Sequence, residues 1–221
     1  MIAASAIDYR EIARRRLPRF LFDYIDGGSY GEVTLRRNVS DLEAVELRQR
    51  VLTAVDEVDL TTSLFGQPLA MPLALGPIGL GGLTARRGER QAVRAAEAAG
   101  VPFCLSTVSA CPLEEVTAAA TKPFWFQLYI IPDRAFMRDL FARARAANCS
   151  ALVFTVDMPL PGSRYRDVHS GLAGAPGLRG ALRRTLQGMG KPGWAWDVGI
   201  HGRPHSIANL APVLGGKCGI D

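Results

Sequence analysis

Four strand–helix units run from residue 71 to residue 157, and then the pattern stops. The strands are short apolar runs at 72–75, 102–105, 124–128 and 151–156. Between them, apolar residues recur at helical spacing over 88–99, 113–120 and 133–147. Apolar runs without polar alternation are the mark of strands buried on both faces, as parallel strands are. Strands that alternate with helices require crossover connections, and crossovers build parallel sheets. The last 64 residues, 158–221, show no fifth unit.

Two architectures are built this way. An open doubly wound sheet usually places G-x-G-x-x-G after its first strand and an acid about 20 residues later. Here the turn is Gly76-Pro77-Ile78-Gly79-Leu80-Gly81-Gly82, with different glycine spacing and no acid at that distance. The sequence therefore favours a TIM (β/α)8 barrel of which only about the first four units are present. A whole barrel takes ~250 residues, and this chain of 221 spends about 70 before its first barrel strand. Those leading residues read as a helix over 8–16, a second restarted by Leu17-Pro18 and ended by Gly27-Gly28, and a third over 32–42. A hairpin over 60–69, around Gly66-Gln67, follows. The expected divisions are 1–70, helices and hairpin; 71–157, half barrel; and 158–221, a long loop segment that could dock on a membrane. Half a barrel would leave strands one and four as open edges and its apolar interior bare. The chain alone is therefore expected to aggregate or stay molten.

Charge is distributed unevenly. From Met158 onward there are eight basic residues and three acids, which accounts for the whole net charge of +5. All three histidines, His169, His201 and His205, lie in the same segment with Trp194 and Trp196. Such a segment suits an anionic ligand or a membrane interface, and equally a solvated loop packed on the domain. Its basic residues are broken by Pro and Gly and form no aromatic platform, which argues against nucleic acid. The four cysteines show no C-x-x-C pair and no metal-ligand spacing, so no metal is expected and a reducing compartment is the simplest reading. The N-terminus has no apolar h-region, so no secretory signal is expected. No run approaches the ~20 apolar residues of a spanning helix.

In a parallel barrel, ligand-handling residues stand where strands end. The first strand ends in the glycine turn, where bare backbone can approach a planar ligand. The second ends in Ser106-Thr107, the third in Gln127-Leu128-Tyr129, and the fourth in Thr155-Val156-Asp157 with Arg164 beyond. Taken singly these are a helix cap, a backbone-satisfying amide and a turn residue. Together they are neutral donors and acceptors at four consecutive strand ends. They suit the edge of a flavin ring better than a phosphate or a metal.

Several stretches carry a more specific likeness: F-L-F-D-Y-I-D-G-G at 20–28, T-L-R-R-N at 34–38, L-S-T-V-S at 105–109, W-F-Q-L-Y at 125–129 and L-V-F-T-V-D-M-P-L-P-G-S-R-Y-R-D-V-H-S-G at 152–171. The segments P-G-W-A-W-D-V-G at 192–199 and G-R-P-H at 202–205 extend it through the tail. In these the chain resembles the FMN-dependent L-2-hydroxy acid dehydrogenase and oxidase family, nearest to its quinone-linked bacterial branch acting on L-lactate. The resemblance implies FMN as cofactor, with Pro77, Ile78 and Gly79 passing along the flavin and Ser106, Gln127 and Thr155 hydrogen-bonded to its ring. It implies that Tyr24, Tyr129 and Arg164 grip L-lactate, the guanidinium by two parallel bonds to the carboxylate. Asp157 would orient a base.

The resemblance also implies what is absent. The family's catalytic histidine, a nearby arginine, a lysine beside the flavin and the phosphate site all follow later barrel strands. None of the three histidines here matches that motif, so no catalytic residue is assigned and the base is expected beyond Asp221. The chain thus reads as a truncated copy of an enzyme passing electrons to a membrane quinone. That enzyme would be peripheral on the cytoplasmic face of the inner membrane and a homo-oligomer when complete. A hydroxy acid oxidase and a non-catalytic fragment are the alternatives.

Overall fold

The computed structural model describes residues 2–53, 56–157, 162–173 and 177–213. The chain divides into two compact units, Met1–Asp59 with Leu160–Lys191, and Leu60–Pro159 with Pro192–Asp221.

The first unit is helical. Helix α1 (Ala6–Arg16) starts with a capping box: the Ser5 hydroxyl accepts from the Asp8 amide, and the Asp8 carboxylate accepts from the Ser5 amide at 2.9 Å. Proline at 18 precedes α2 (Arg19–Asp26), which buries Phe20, Leu21, Phe22 and Asp23 and is ended by Gly27. Helix α3 (Val33–Glu43) buries no residue.

The second unit opens with an antiparallel hairpin, β1 (Thr62–Leu64) and β2 (Gln67–Leu69). Its turn is Phe65-Gly66, both at positive φ, one residue earlier than expected. The repeating units follow: α4 (Gly88–Ala99), β3 (Cys104–Ser106), α5 (Leu113–Thr117), β4 (Trp125–Leu128), α6 (Arg134–Ala146) and β5 (Ala151–Phe154). Strands β3, β4 and β5 pair in parallel in chain order. The run at 72–75 does not form a strand; it makes one parallel bridge, Leu75 to Phe103. Pro72 has no N–H to give, and among the described residues only β3 borders this run, so a ladder has little to build on.

Register separates two faces of the sheet. Leu105 lies beside Phe126, and Phe126 beside Leu152; Ser106 lies beside Gln127, and Gln127 beside Val153. The Leu105–Phe126 face packs on the helices, with Val93, Val116 and Leu140 in one apolar cluster. Burial falls away at the edge. Every residue of β4 is buried, whereas Leu152 and Phe154 of β5 are 49% and 56% exposed. Among the described residues no strand pairs with the far side of β5.

Within 158–221, where the sequence shows no periodicity, the chain still forms α7 (Tyr165–Ser170) and α8 (Leu178–Met189) in the first unit. In the second unit it forms helical turns at Pro192–Trp194 and Ala195–Ile200. Asn209, fully buried, accepts from the Leu113 amide at 3.0 Å and donates to the Ser109 hydroxyl at 3.0 Å. The Trp194 indole donates to the Leu83 carbonyl at 2.8 Å. The stretch from 192 to 213 is therefore sewn onto the repeating units.

Candidate functional site

Three strand ends in the second unit meet through side chains. The Thr107 amide donates to Gln127 Oε1 at 3.2 Å, and the Ser106 hydroxyl donates to the same oxygen at 3.1 Å. That sets the orientation of the amide, so Gln127 Nε2 is the donor to Thr155 Oγ1, at 2.7 Å. Ser106 Oγ in turn accepts from the Val108 amide at 3.2 Å. The period-two alternation of the strands puts residues 106, 127, 153 and 155 on the face opposite the apolar cluster, which is why these groups can meet. Ser106 and Gln127 are 4% and 2% exposed, while Thr155 is half-buried. The buried pair works from beneath. Thr155, its own hydrogen uncommitted among the described residues, presents the chain's polar end outward.

Gly76, Pro77 and Ile78 are exposed, and a Cβ at Gly76 would meet nothing within 4 Å. This part of the turn is open to a ligand. The later glycines have a different reason. A Cβ at Gly79 would lie 2.8 Å from Val108 Cγ2, and one at Gly82 only 2.7 Å from the Ala110 Cβ. The turn after the first run and the turn after β3 are pressed together, with the Leu80 amide donating to the Val108 carbonyl at 2.9 Å. Glu89, 4% exposed, holds both: its Oε1 accepts from the Gly82 amide at 3.1 Å and from the Ala110 amide at 2.8 Å. Ile78, Gly81, Glu89 and Ser106 line a cavity of about 260 Å³ beside this joint.

Val108 and Glu89 are therefore the residues that sequence reasoning missed, and Thr107, read only as part of a strand end, has a larger part than expected. Thr107 is fully buried, donates to the Gln127 carbonyl and accepts from the Tyr129 amide at 3.3 Å. Its hydroxyl beside Ser106 was the signal in the sequence; nothing in the sequence pointed to Val108 or Glu89. The Tyr129 hydroxyl and the exposed carboxylate of Asp157 have no partner among the described residues.

The first unit brings Tyr24 and Arg164 together. The Arg164 guanidinium lies over the Tyr24 ring, 5.2 Å from its centroid. Its Nε donates to Asp167 at 2.8 Å, and its Nη2 donates to the carbonyls of Tyr24 and Gly27, the latter at 3.0 Å. Two of the three guanidinium nitrogens are thus engaged. Nη1 is the nitrogen without a partner among the described residues, which leaves no ready two-bond fork of the kind expected for a carboxylate. Asp167, 5% exposed, anchors the arrangement. Next to it, Arg166 pairs with Asp23 at 2.8 Å and with Asp26 at 2.9 Å. The Arg10 guanidinium bonded to Asp26, and then Arg166, hold that carboxyl below its ordinary range.

No described histidine stands at a strand end. His169 lies in α7, His201 meets Trp196 edge-on with ring centroids 4.6 Å apart, and His205 bonds to the Gly199 carbonyl. Among the described residues no cluster of His, Cys, Asp or Glu could hold a metal ion. The Cys104 and Cys111 thiols are pushed up to about 12 by burial and stay protonated.

The sequence profile of the FMN-dependent dehydrogenase family matches residues 13–214. An L-lactate dehydrogenase of Caulobacter sp. (strain K31) is 62% identical over 221 residues, all of this chain and 57% of that protein. One from Ectopseudomonas mendocina is 57% identical over 220 residues, again 57% of its length. Among solved structures, the monotopic membrane protein (S)-mandelate dehydrogenase superposes with a TM-score of 0.86 at 27% identity, covering all of this chain and 61% of its own. The chain thus spans little more than half of the relatives it matches.

Proposed function

Because the chain belongs to the FMN-dependent dehydrogenase family, we propose that it is the leading part of a (β/α)8 enzyme that oxidises L-lactate to pyruvate. The observation that carries this reading is the chain of neutral groups Ser106–Gln127–Thr155 across three adjacent strand ends. Its fit to FMN is chemical: a flavin's imide edge alternates acceptors with a donor and carries no full charge. Thr155 meets that edge directly, and Ser106 and Gln127 hold Thr155 in place. Pro77, Ile78 and Gly79 would lie along the ring. Bound there, FMN supplies the acceptor for a hydride leaving the substrate Cα.

In the first unit Arg164 offers Nη1 to a substrate carboxylate beside the Tyr24 hydroxyl, while its Nη2 holds the Tyr24 carbonyl and its Nε holds Asp167; in the second unit Tyr129 offers a further hydroxyl to substrate. Asp157 orients the base that takes the 2-hydroxyl proton. None of the described histidines stands at a strand end, where that base is expected, and general-base catalysis typically contributes ~10²–10⁴-fold. We therefore hold that residues 1–221 alone do not turn over lactate. Electrons pass to a membrane quinone. The enzyme lies peripherally on the cytoplasmic face of the inner membrane, as a homo-oligomer. Among the described residues no helix is long and apolar enough to cross a membrane.

Lumiflavin, which has the ring without the phosphate, tests the ring site separately from the rest. Titrated into the chain, its fluorescence should be quenched, and Gln127→Leu should abolish the quenching while far-UV circular dichroism is unchanged. Quenching that survives Gln127→Leu would remove the flavin assignment. Lactate-dependent bleaching of an FMN-loaded preparation of residues 1–221 would refute the inactivity. In the longer protein, quinone reduction without oxygen consumption separates a dehydrogenase from an oxidase.

A further inference from the structure

Asn209 stands 96 residues beyond Leu113, yet the two are hydrogen-bonded and neither is exposed to solvent. Helix α5 starts behind Pro112, whose side chain can accept no hydrogen bond, so the first amide of the helix needs an acceptor from elsewhere. Asn209 Oδ1 supplies it at 3.0 Å and also accepts from Arg143 Nη2 at 3.2 Å. Two donors on that oxygen make Nδ2 the donating end of the amide, and it donates to the Ser109 hydroxyl at 3.0 Å.

Ser109 gives this contact a reach beyond capping. It is fully buried, and each of its polar groups is committed. Its carbonyl accepts from the Ala208 amide at 3.1 Å, and its hydroxyl accepts from Asn209. The hydroxyl donates to the Cys111 carbonyl at 2.7 Å, and the amide donates to the Ser106 carbonyl at 3.1 Å. Half of what holds Ser109 therefore comes from residues 208–209.

The loop that contains it, 106–111, is the one that orients Gln127. Ser106 Oγ donates to Gln127 Oε1 and accepts from the Val108 amide, and Val108 presses on the glycine turn at Gly79. The loop's neighbours at 108 and 110 are held by the repeating units themselves, through the Leu80 amide and the Glu89 carboxylate. Ser109 is held from the tail. A second contact from the tail, the Trp194 indole on the Leu83 carbonyl, falls just beyond Gly82. The segment 192–213 thus touches both turns next to the proposed ring site. A buried network of this kind keeps one arrangement, because leaving any member unpaired costs the desolvation of that group.

We propose that Asn209 is a positioning residue for the flavin ring site. Through Ser109 it fixes the 106–111 loop in the shape in which the Ser106 hydroxyl turns the Gln127 amide toward Thr155. Binding of the ring and docking of 206–210 are then linked, and each strengthens the other. The inference rests on the flavin reading above and adds to it the residue that holds the site from outside the strand ends.

Lumiflavin affinity, read by fluorescence quenching, tests the link. Asn209→Asp keeps the acceptor for Leu113 and Arg143 but turns the end that faces Ser109 from donor into acceptor. Ser109→Ala breaks the same bond from the other side. Each should weaken lumiflavin binding about fivefold, the worth of one net hydrogen bond. The double variant should be no weaker than either single one, because both remove one link. Val101→Ala, a packing loss before β3, should lower the urea midpoint and leave the affinity unchanged. Lumiflavin should also slow hydrogen exchange in a peptide spanning 206–210, and should fail to do so in Gln127→Leu. Unchanged affinity in Asn209→Asp and Ser109→Ala, with Gln127→Leu still abolishing binding, would overturn the positioning role and leave the flavin reading standing. Losses that add in the double variant, or an equal loss in Val101→Ala, would make Asn209 a cap and nothing more, against the proposal. Absence of quenching in the unaltered chain would overturn both readings. Should Asn209→Asp unfold, Ser109→Ala alone decides, by the same loss of affinity or its absence.

Discussion

The interior of each unit is held by a different force. In the second, an apolar cluster runs from Val93 of α4 through Leu105, Val116 and Phe126 to Leu140 of α6. In the first, α2 contributes a few buried apolar residues, and the contact to α7 is made by charge: Arg166 between Asp23 and Asp26, with Arg10 on Asp26 and Arg19 on Asp23. Dispersion and burial depend on shape and hardly on solvent ions. Partly buried ion pairs depend on protonation and are weakened by salt. Two of the residues proposed to handle substrate, Tyr24 and Arg164, therefore sit in the more solvent-sensitive unit, and the third, Tyr129, sits with those proposed to handle the flavin in the less sensitive one.

The contrast is most exposed to attack in the apolar cluster. Phe126→Ala, at a site with no exposure, should cost about 3–5 kcal/mol through the cavity it leaves. All three tryptophans, Trp125, Trp194 and Trp196, belong to the second unit, so the loss should appear in urea unfolding followed by tryptophan fluorescence. Asp23→Ala should cost about 2 kcal/mol, because it leaves Arg166 and Arg19 without one of their acceptors. Hydrogen exchange should show that loss in peptides 19–26 and 165–170 and not in 125–128. An equal loss in both regions would end the distinction.

Acid probes the same contrast more finely. The Asp26 carboxyl is depressed below its ordinary value of 3.8, first by Arg10 and then by Arg166. Its contribution is therefore complete above that value and disappears as pH falls through the lowered one. Exchange protection of 19–26 should hold at mildly acid pH and fail below 3.8, and Asp26→Asn should remove that step. The smallest effect concerns the thiols. Cys104 and Cys111, raised to about 12, and Cys149, raised to about 11, should resist iodoacetamide at mildly alkaline pH until urea exposes them. Mass spectrometry of the labelled peptides reads this directly.

Much of this was legible before any coordinates. The apolar spacing that predicts a helix over 88–99 is matched by α4, and Asp133 and Ala147, the ends expected of the next long helix, are the caps of α6. The polar residues closing the strands fall where their parity places them, because a two-residue period leaves a side chain only one of two faces. The glycine turn was only half legible. Space is open beside Gly76, whereas Gly79 and Gly82 are small because Val108 and Ala110 press on them from the turn after β3. Arg164 was legible as an important cation but not as one already committing two nitrogens to Tyr24, Gly27 and Asp167.

The order of the elements and the face each strand residue takes could be read from the chain itself, since both follow from short-range periodicity. Which side of each element meets protein and which meets solvent emerged only once the chain was folded. Residue type does not distinguish burial from exposure, as Phe126 and Phe154 show: both are phenylalanines in parallel strands, one sealed and one open. The same holds for α8, whose leucines point outward. Burial is a property of neighbours distant in sequence, and no local pattern contains it.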